Sequence, residues 1–209
     1  MGDDREDWQR LYSAGGIQYG GSVDIGPLEE LIRPGGLVLD AGCGDGKTSE
    51  ALSKRFRVVA CDYSREALLI LRKSRRVPDT LETVECNILH LPFESEKFIA
   101  VACVHVLSHM MEPERLSVAR EIERVVSRGG YVLVEGFGRG DLRYGTGVEL
   151  ERSSFRRGTG IVTHYFDDGE IPLLFKGFRV MAEKRKTQSV TYGSIPSSRV
   201  TLRTLLRKG

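Results

Sequence analysis

The chain has 209 residues, 40% of them hydrophobic and 29% charged, with a formal net charge of +2. That length buries one core with at most a small appendage, and a near-neutral total gives no case for nucleic-acid binding from charge alone. No apolar run reaches the 18 residues that a membrane helix needs, and the first ten residues, MGDDREDWQR, lack the apolar stretch of a signal peptide. Cys43, Cys61, Cys86 and Cys103 fall in no CxxC pair and suit neither a zinc ribbon nor a disulfide framework. Reduced thiols, a cytoplasmic setting and no metal site are the expectation.

In chain order, residues 5–13 read as a short helix and 14–26 as a Gly-rich loop. Pro27 opens a helix, PLEELI, that Pro34-Gly35-Gly36 ends. LVLDAG (37–42) is an apolar run that predicts a buried strand, GKTSEALSKR (46–55) a helix, and RVVACD (57–62) a second strand. Ser64 is placed to cap the helix REALLILRKSRR. LETVEC (81–86) and KFIAVACVHV (97–106) predict the third and fourth strands. Pro113 starts a helix through Val126 whose Leu116, Ala119, Ile122 and Val125 share a face; Gly129-Gly130 is expected to end it before strand YVLVEG (131–136). Residues 137–160 read as a long Gly- and Arg-rich excursion and 168–176 as a short helix. FRVMAEKRKTQ (178–188) and SRVTLRTLLRK (198–208) read as two final strands forming an antiparallel hairpin, the second alternating Val200, Leu202, Thr204, Leu206 on one face.

Strands alternating with helices predict an α/β fold: a Rossmann-like, doubly wound, mostly parallel seven-stranded sheet with a C-terminal antiparallel hairpin. Ligands in such sheets bind beyond the carboxyl ends of the strands. The run from Asp40 to Thr48, DAGCGDGKT, sits there. A dinucleotide fingerprint, G-x-G-x-x-G, fails because Lys47 stands where its third glycine belongs. A P-loop matches at Gly46-Lys47-Thr48, with Ala41 in place of its first glycine and Asp62 as a Walker B-like acid, so a P-loop-like nucleotide-binding protein stays as an alternative. Against it, Asp40 at the strand tip would repel phosphates.

The same run resembles the D-x-G-x-G-x-G first motif of class I S-adenosylmethionine-dependent methyltransferases, of the methyltransferase type 11/25 kind. Four further stretches in order strengthen the resemblance: Asp62 at the end of the second strand, Cys86-Asn87-Ile88 after the third, Leu91-Pro92-Phe93 with Lys97-Phe98-Ile99-Ala100-Val101, and Arg128-Gly129-Gly130 entering the fifth. The likeness covers about residues 28–136. It departs at Asn87, Ile99 and Arg128, where the family usually has Asp, Asp and Pro. The resemblance implies S-adenosylmethionine as cofactor, held by Asp40, Ala41, Gly42, Cys43, Gly44, Asp62, Tyr63, Asn87, Ile88 and Cys103. Asp40 would serve the methionine part, Asp62 the ribose hydroxyls and Asn87 the adenine amine. It also implies a lid segment over 1–26, with Tyr12 and Tyr19, a single methyltransferase domain over 27–209, and a substrate-side insertion over 137–166.

No catalytic constellation is visible, and in-line methyl transfer needs none, because alignment supplies most of the rate. His105 and His109, after the fourth strand, are the candidate general bases. Neither a Pro-Cys nucleophile motif nor an Asn/Asp-Pro-Pro-Tyr motif occurs. A small-molecule acceptor is the first expectation, since Thr163-His164-Tyr165-Phe166 before a short helix looks like tellurite-resistance and related small-molecule methyltransferases. RNA is the alternative. The core also resembles tRNA wobble-uridine methyltransferases, relatives that often use an activator subunit, and residues 176–209 carry nine Lys/Arg against Glu183 alone. A solvated edge strand explains the same charges. A fold-retaining binding protein without turnover is a third reading.

Overall fold

A computed structural model describes residues 4–15, 23–74, 78, 81–158, 160–192 and 195–209. Seven strands form the main sheet: β1 (Leu37–Ala41), β2 (Arg57–Asp62), β3 (Glu82–Glu85), β4 (Phe98–Val104), β5 (Val126–Phe137), β9 (Phe178–Tyr192) and β10 (Ile195–Lys208). Their order is β3-β2-β1-β4-β5-β10-β9. The first five run parallel, β10 pairs antiparallel with β5, and β9 antiparallel with β10. This is the predicted sheet, with the closing hairpin at its edge.

Side-chain alternation divides the core into two layers. Leu39, Val59, Val101, Val132 and Val134 face the layer of α5 (Glu112–Val125), where Val118, Ile122 and Val125 are fully buried. Val38, Val58, Ala100, Ala102 and Leu133 face the other layer, built by Leu28, by Leu52 of α3 (Lys47–Leu52) and by Leu68 and Leu71 of α4 (Arg65–Lys73). Both faces of the central strands are covered, which is why they read as unbroken apolar runs. Ser64 caps α4 as expected, its Oγ accepting the Ala67 N–H at 3.3 Å.

Three boundaries differ from expectation. The helix expected over PLEELI is shorter: α2 spans only Gly26–Glu29 and then loosens toward Pro34. Helix α5 stops at Val125, not at Gly129-Gly130, and β5 begins at Val126. The glycine pair lies inside the irregular start of β5, where β4 passes so close that a Cβ on Gly130 would lie 2.9 Å from the Ile99 carbonyl oxygen. Gly here signals close backbone approach rather than a helix end. The excursion is also not a plain loop. It folds into a small antiparallel sheet, β6 (Val148–Glu151), β7 (Ser154–Arg156) and β8 (Val162–His164). The chain then continues into α6 (Glu170–Leu174).

Helix α1 (Asp4–Gly15) packs Trp8 and Tyr12 against Ala67 of α4 and Ile161 before β8. It therefore joins the cofactor half to the insertion. Most of the predicted 14–26 loop, including Tyr19, lies outside the described residues.

Leu133→Ala tests the layered core. Leu133 is 1% exposed at the centre of β5, and its truncation should cost about 2–5 kcal/mol in urea unfolding; a loss below 1 kcal/mol would mean that this layer is not closely packed.

Candidate cofactor and acceptor site

The strand order reverses between β1 and β4, so a crevice opens beyond their carboxyl ends. The loop after β1 is pinned to β2 from both sides. Gly42 and Cys43 N–H groups donate to the Cys61 carbonyl at 2.8 and 2.9 Å. The Gly44 N–H donates to Asp62 Oδ2, and the Ser64 N–H to Asp62 Oδ1, both at 2.9 Å. Gly42 and Gly44 hold φ of +73° and +53°. A Cβ at either would collide, with Val106 or with the Tyr12 hydroxyl respectively, so only glycine satisfies both backbone and space there.

A cavity of about 580 Å³ lies against this loop. It gathers nine of the twelve residues singled out from the sequence: Gly42, Cys43, Gly44, Asp62, Tyr63, Asn87, Ile88, His105 and His109. Asp40, Ala41 and Cys103 are not on its wall; each is at most 1% exposed, behind the loop and strand tips. Asp40 accepts a 2.5 Å hydrogen bond from Ser49 Oγ. Burial, with the Asp62 charge nearby, raises its carboxyl to about 7. Burial also raises Asp62, against the pull of its backbone N–H donors. Burial drives the Cys103 thiol up to about 12, which leaves it inert. The Asn87 Oδ1 accepts the Leu89 N–H at 2.9 Å and fixes its own turn, with a lone pair left over.

The wall includes residues that the sequence analysis did not assign to the site. Trp8 comes from α1, beside Tyr12 of the expected lid, and Lys47 from the start of α3. Asp45, Glu85 and Glu114 add acid. Lys47 was visible only as a P-loop feature, and Trp8 only as part of a short helix.

The far end of the cavity holds the two histidines. His105 ends β4 in the left-handed region, φ +63°, its N–H donating to the Glu135 carbonyl at 2.6 Å. Such strain in a non-glycine residue marks positions that the surrounding fold holds against local preference. Its ring stacks on Phe137 with centroids 4.5 Å apart. Burial, with the charges of Lys47, Arg199, Arg143 and Arg203, depresses it to about 3. It is therefore neutral, and its 3.5 Å contact with Glu135 is not an ion pair; Glu135 pairs with Arg203 at 2.5 Å instead. His109 Nδ1 lies 2.9 Å from the Val162 carbonyl oxygen of β8. A carbonyl only accepts, so Nδ1 carries the proton and Nε2 has a bare lone pair. Nε2 is buried with no partner among the described residues. Burial holds His109 neutral, down to about 4. Trp8 meets its ring edge-on at 4.9 Å.

The model of the methyltransferase domain family matches residues 39–134. The chain is 31% identical over 103 residues to mouse "Probable tRNA methyltransferase 9B", covering 49% of this chain and 22% of that protein. It thus spans about a fifth of that relative's length. Its fold superposes on an S-adenosylmethionine-dependent methyltransferase of Methanosarcina mazei with a TM-score of 0.74 at 21% identity, covering 90% of this chain and 99% of that one. A second such methyltransferase, of Anabaena variabilis, gives a TM-score of 0.76 at 15% identity over 98% and 93%. Residues 39–134 match a methyltransferase domain, and the fold is that of solved S-adenosylmethionine-dependent methyltransferases.

The cavity has a chemistry that fits S-adenosylmethionine. S-adenosylmethionine carries a sulfonium, an ammonium, a carboxylate and two ribose hydroxyls. The cavity offers the Asp62 carboxylate, three further acids and Lys47 as a counter-charge for a carboxylate. The excess of acid near the loop suits a cation and opposes the P-loop alternative, whose ligand is polyanionic.

Asp40→Asn should separate stability from cofactor binding. The folded carboxyl keeps its proton to about 7, the unfolded one only to about 4. Wild-type stability is thus lost as pH rises from 4 to 7, and above pH 7 Asn should be more stable by about 2–4 kcal/mol. Cofactor affinity should fall about tenfold, one charge interaction's worth. Urea unfolding at pH 5 and 8 with calorimetry checks both; an Asn variant less stable at pH 8 contradicts the buried-charge account.

Proposed function

We propose that the chain transfers the methyl group of S-adenosylmethionine to a small-molecule acceptor, with residues 1–26 as a lid and 137–166 as the acceptor-side insertion. The observation that carries this reading is how the far end of the cavity is closed. His109 is held there by Trp8 of α1, by the Val162 carbonyl of β8 and by Phe137 of β5, whose ring lies 5.9 Å away. Three separate parts of the chain thus enclose the space beside the imidazole, which suits an acceptor of cofactor size or less.

Bound there, S-adenosylmethionine supplies an electrophilic methyl on a sulfonium whose leaving group is neutral, so no acid is needed. The residues assigned to cofactor binding divide by role. Asp62 accepts the ribose hydroxyls, Asn87 and Ile88 flank adenine, and Tyr63 packs beside them. Gly42, Cys43 and Gly44 let the methionine part lie on the loop. Asp40, Ala41 and Cys103 act from behind by charge and packing. His109 accepts a hydrogen bond from the nucleophile's X–H at Nε2. It takes the proton only once the new bond to carbon has made that proton acidic, so a base of low pKa suffices. His105 shapes the wall through its stack on Phe137.

An RNA acceptor, with an activator subunit, is the second reading, favoured by the tRNA methyltransferase name of the mouse relative. The C-terminal charges lend it little. Arg185 pairs with Asp168, Arg203 with Asp24 and Glu135, and the Lys208 ammonium donates to the carbonyls of Glu123 and Val126.

Incubation with methyl-labelled S-adenosylmethionine and host extract, followed by separation of RNA, protein and small molecules, tests the reading. Label should appear in the small-molecule fraction; label in RNA would replace it with the second reading. With the labelled acceptor in hand, His109→Ala should lower kcat about 100-fold. Because the His109 conjugate acid lies near 4, kcat at saturating S-adenosylmethionine, where Asp40 does not limit binding, should stay level from pH 8 to about 5; an acid limb near 6.5, the value of an unperturbed imidazole, would remove His109 from this role.

A further inference from the structure

The cofactor cavity and the region behind its histidine wall carry opposite charge. Asp45, Asp62, Glu85 and Glu114 lie on the cofactor cavity. Around Phe137, beyond the histidines, the charges are positive. The Arg143 guanidinium sits 4.8 Å over the Phe137 ring and that of Arg199 5.7 Å from it. Arg157, on the chain between β7 and β8, is close enough for its charge to act on both His109 and Tyr165.

The nearby acids offset only part of this charge: Asp141 is a single carboxylate set against both Arg143 and Arg199. Asp141 is wholly buried, and its Oδ1 accepts from the Arg143 N–H and Nε at 3.1 and 3.4 Å, its Oδ2 from the Val200 N–H at 3.2 Å. Glu135 is taken by Arg203, and Asp167 by Arg139 and Arg152. Arg143 Nη2 and Arg157 Nε are left buried with no acceptor among the described residues. The Tyr165 hydroxyl, 6.2 Å from Phe137 by ring centroids, is in the same condition. Buried guanidinium donors without acceptors cost the fold several kilocalories of lost solvation unless a ligand completes them. Three unsatisfied donors from the chain before β6, between β7 and β8, and just after β8, gathered about Phe137 and His109, suit an oxyanion.

We infer that the methyl acceptor is a small molecule bearing a carboxylate or phosphate group, which Arg143 and Arg157 bind while its nucleophile faces His109. This rests on the methyltransferase reading of the adjoining cavity and adds the substrate class to it. The polarity orients the acceptor. The bare lone pair of His109 Nε2 repels an anion and attracts an X–H group, so the anionic end goes to the arginines and the nucleophile to the imidazole. The cofactor's cationic sulfonium and the anionic acceptor then lie on sides of matching opposite charge.

The test is calorimetric titration of the full chain, saturated with S-adenosylhomocysteine, with benzoate, phenyl phosphate and neutral benzyl alcohol. Benzoate or phenyl phosphate should bind at least tenfold more tightly than benzyl alcohol, and whichever binds better names the anion. Arg157→Gln and Arg143→Gln should each weaken that binding about tenfold or more, while Arg152→Gln, exposed and paired with Asp167, should not change it. Arg157→Gln carries the test should Arg143→Gln fail to fold through its tie to Asp141. Equal affinity for the neutral probe, no binding of either anion, or anion binding indifferent to Arg157 would overturn the inference. S-adenosylhomocysteine binding should be unchanged in every variant; its failure in the wild type would instead strike the methyltransferase reading.

Discussion

The site depends on one carboxylate held at a strand tip. Asp62 ends β2, and its two oxygens accept backbone N–H groups from Gly44 of the glycine loop and from Ser64 at the start of α4. These bonds fix the height of the loop over the sheet and the direction in which α4 departs. They also keep the acid ionisable in a buried place, since each oxygen retains a lone pair for a ligand. Without this tie the loop would lose its shape, because Gly42 and Gly44 have no side chains with which to hold it. Asp40, directly behind the loop, is raised to about 7 by burial and by the Asp62 charge, so it is only partly ionised near neutrality. An arriving cation relieves both acids at once. Cofactor binding and the stability of the empty protein are therefore opposed at this point, as is common where function needs a buried charge.

The histidine end of the cavity follows from the same frame. β4 and β5 carry the chain to the upper rim of the sheet, and the 137–166 segment folds back over it as β6–β8. His105 is forced into a left-handed backbone there, and His109 is locked as a single tautomer by the Val162 carbonyl. Charge separation between the acidic loop side and the arginine side polarises the space between them. Such preorganised fields cost nothing to arrange at the moment of reaction.

Much of this was legible in the chain, for identifiable reasons. The parallel strands were readable because covering both faces demands continuous apolar runs such as LVLDA and FIAVACV. The glycine loop and Asp62 were readable because a tight turn restricts residue choice and an acid follows at a fixed spacing at the next strand tip; the structure brings both to the cavity wall. Other features were not. Gly129-Gly130 looked like a helix stop because close approach to β4 uses the same residue as a C-cap. The small β6–β8 sheet was hidden because its strands are three or four residues long and partly exposed. Asp40 seemed a contact residue, yet β1 delivers its side chain beneath the loop to Ser49. Trp8 became meaningful only when tertiary packing brought it to His109; no local pattern encodes such a meeting.

The central claim is that the cavity beside Asp62 is built for S-adenosylmethionine. Calorimetric titration of the full chain and of Asp62→Ala with S-adenosylhomocysteine, and of the wild type with ATP–Mg²⁺, tests it most directly. The account predicts one equivalent bound by the wild type, a loss of about 100-fold or more in Asp62→Ala from two charge-assisted hydrogen bonds, and much weaker binding of ATP–Mg²⁺. Unchanged affinity in a folded Asp62→Ala, or tighter binding of ATP–Mg²⁺, would contradict it.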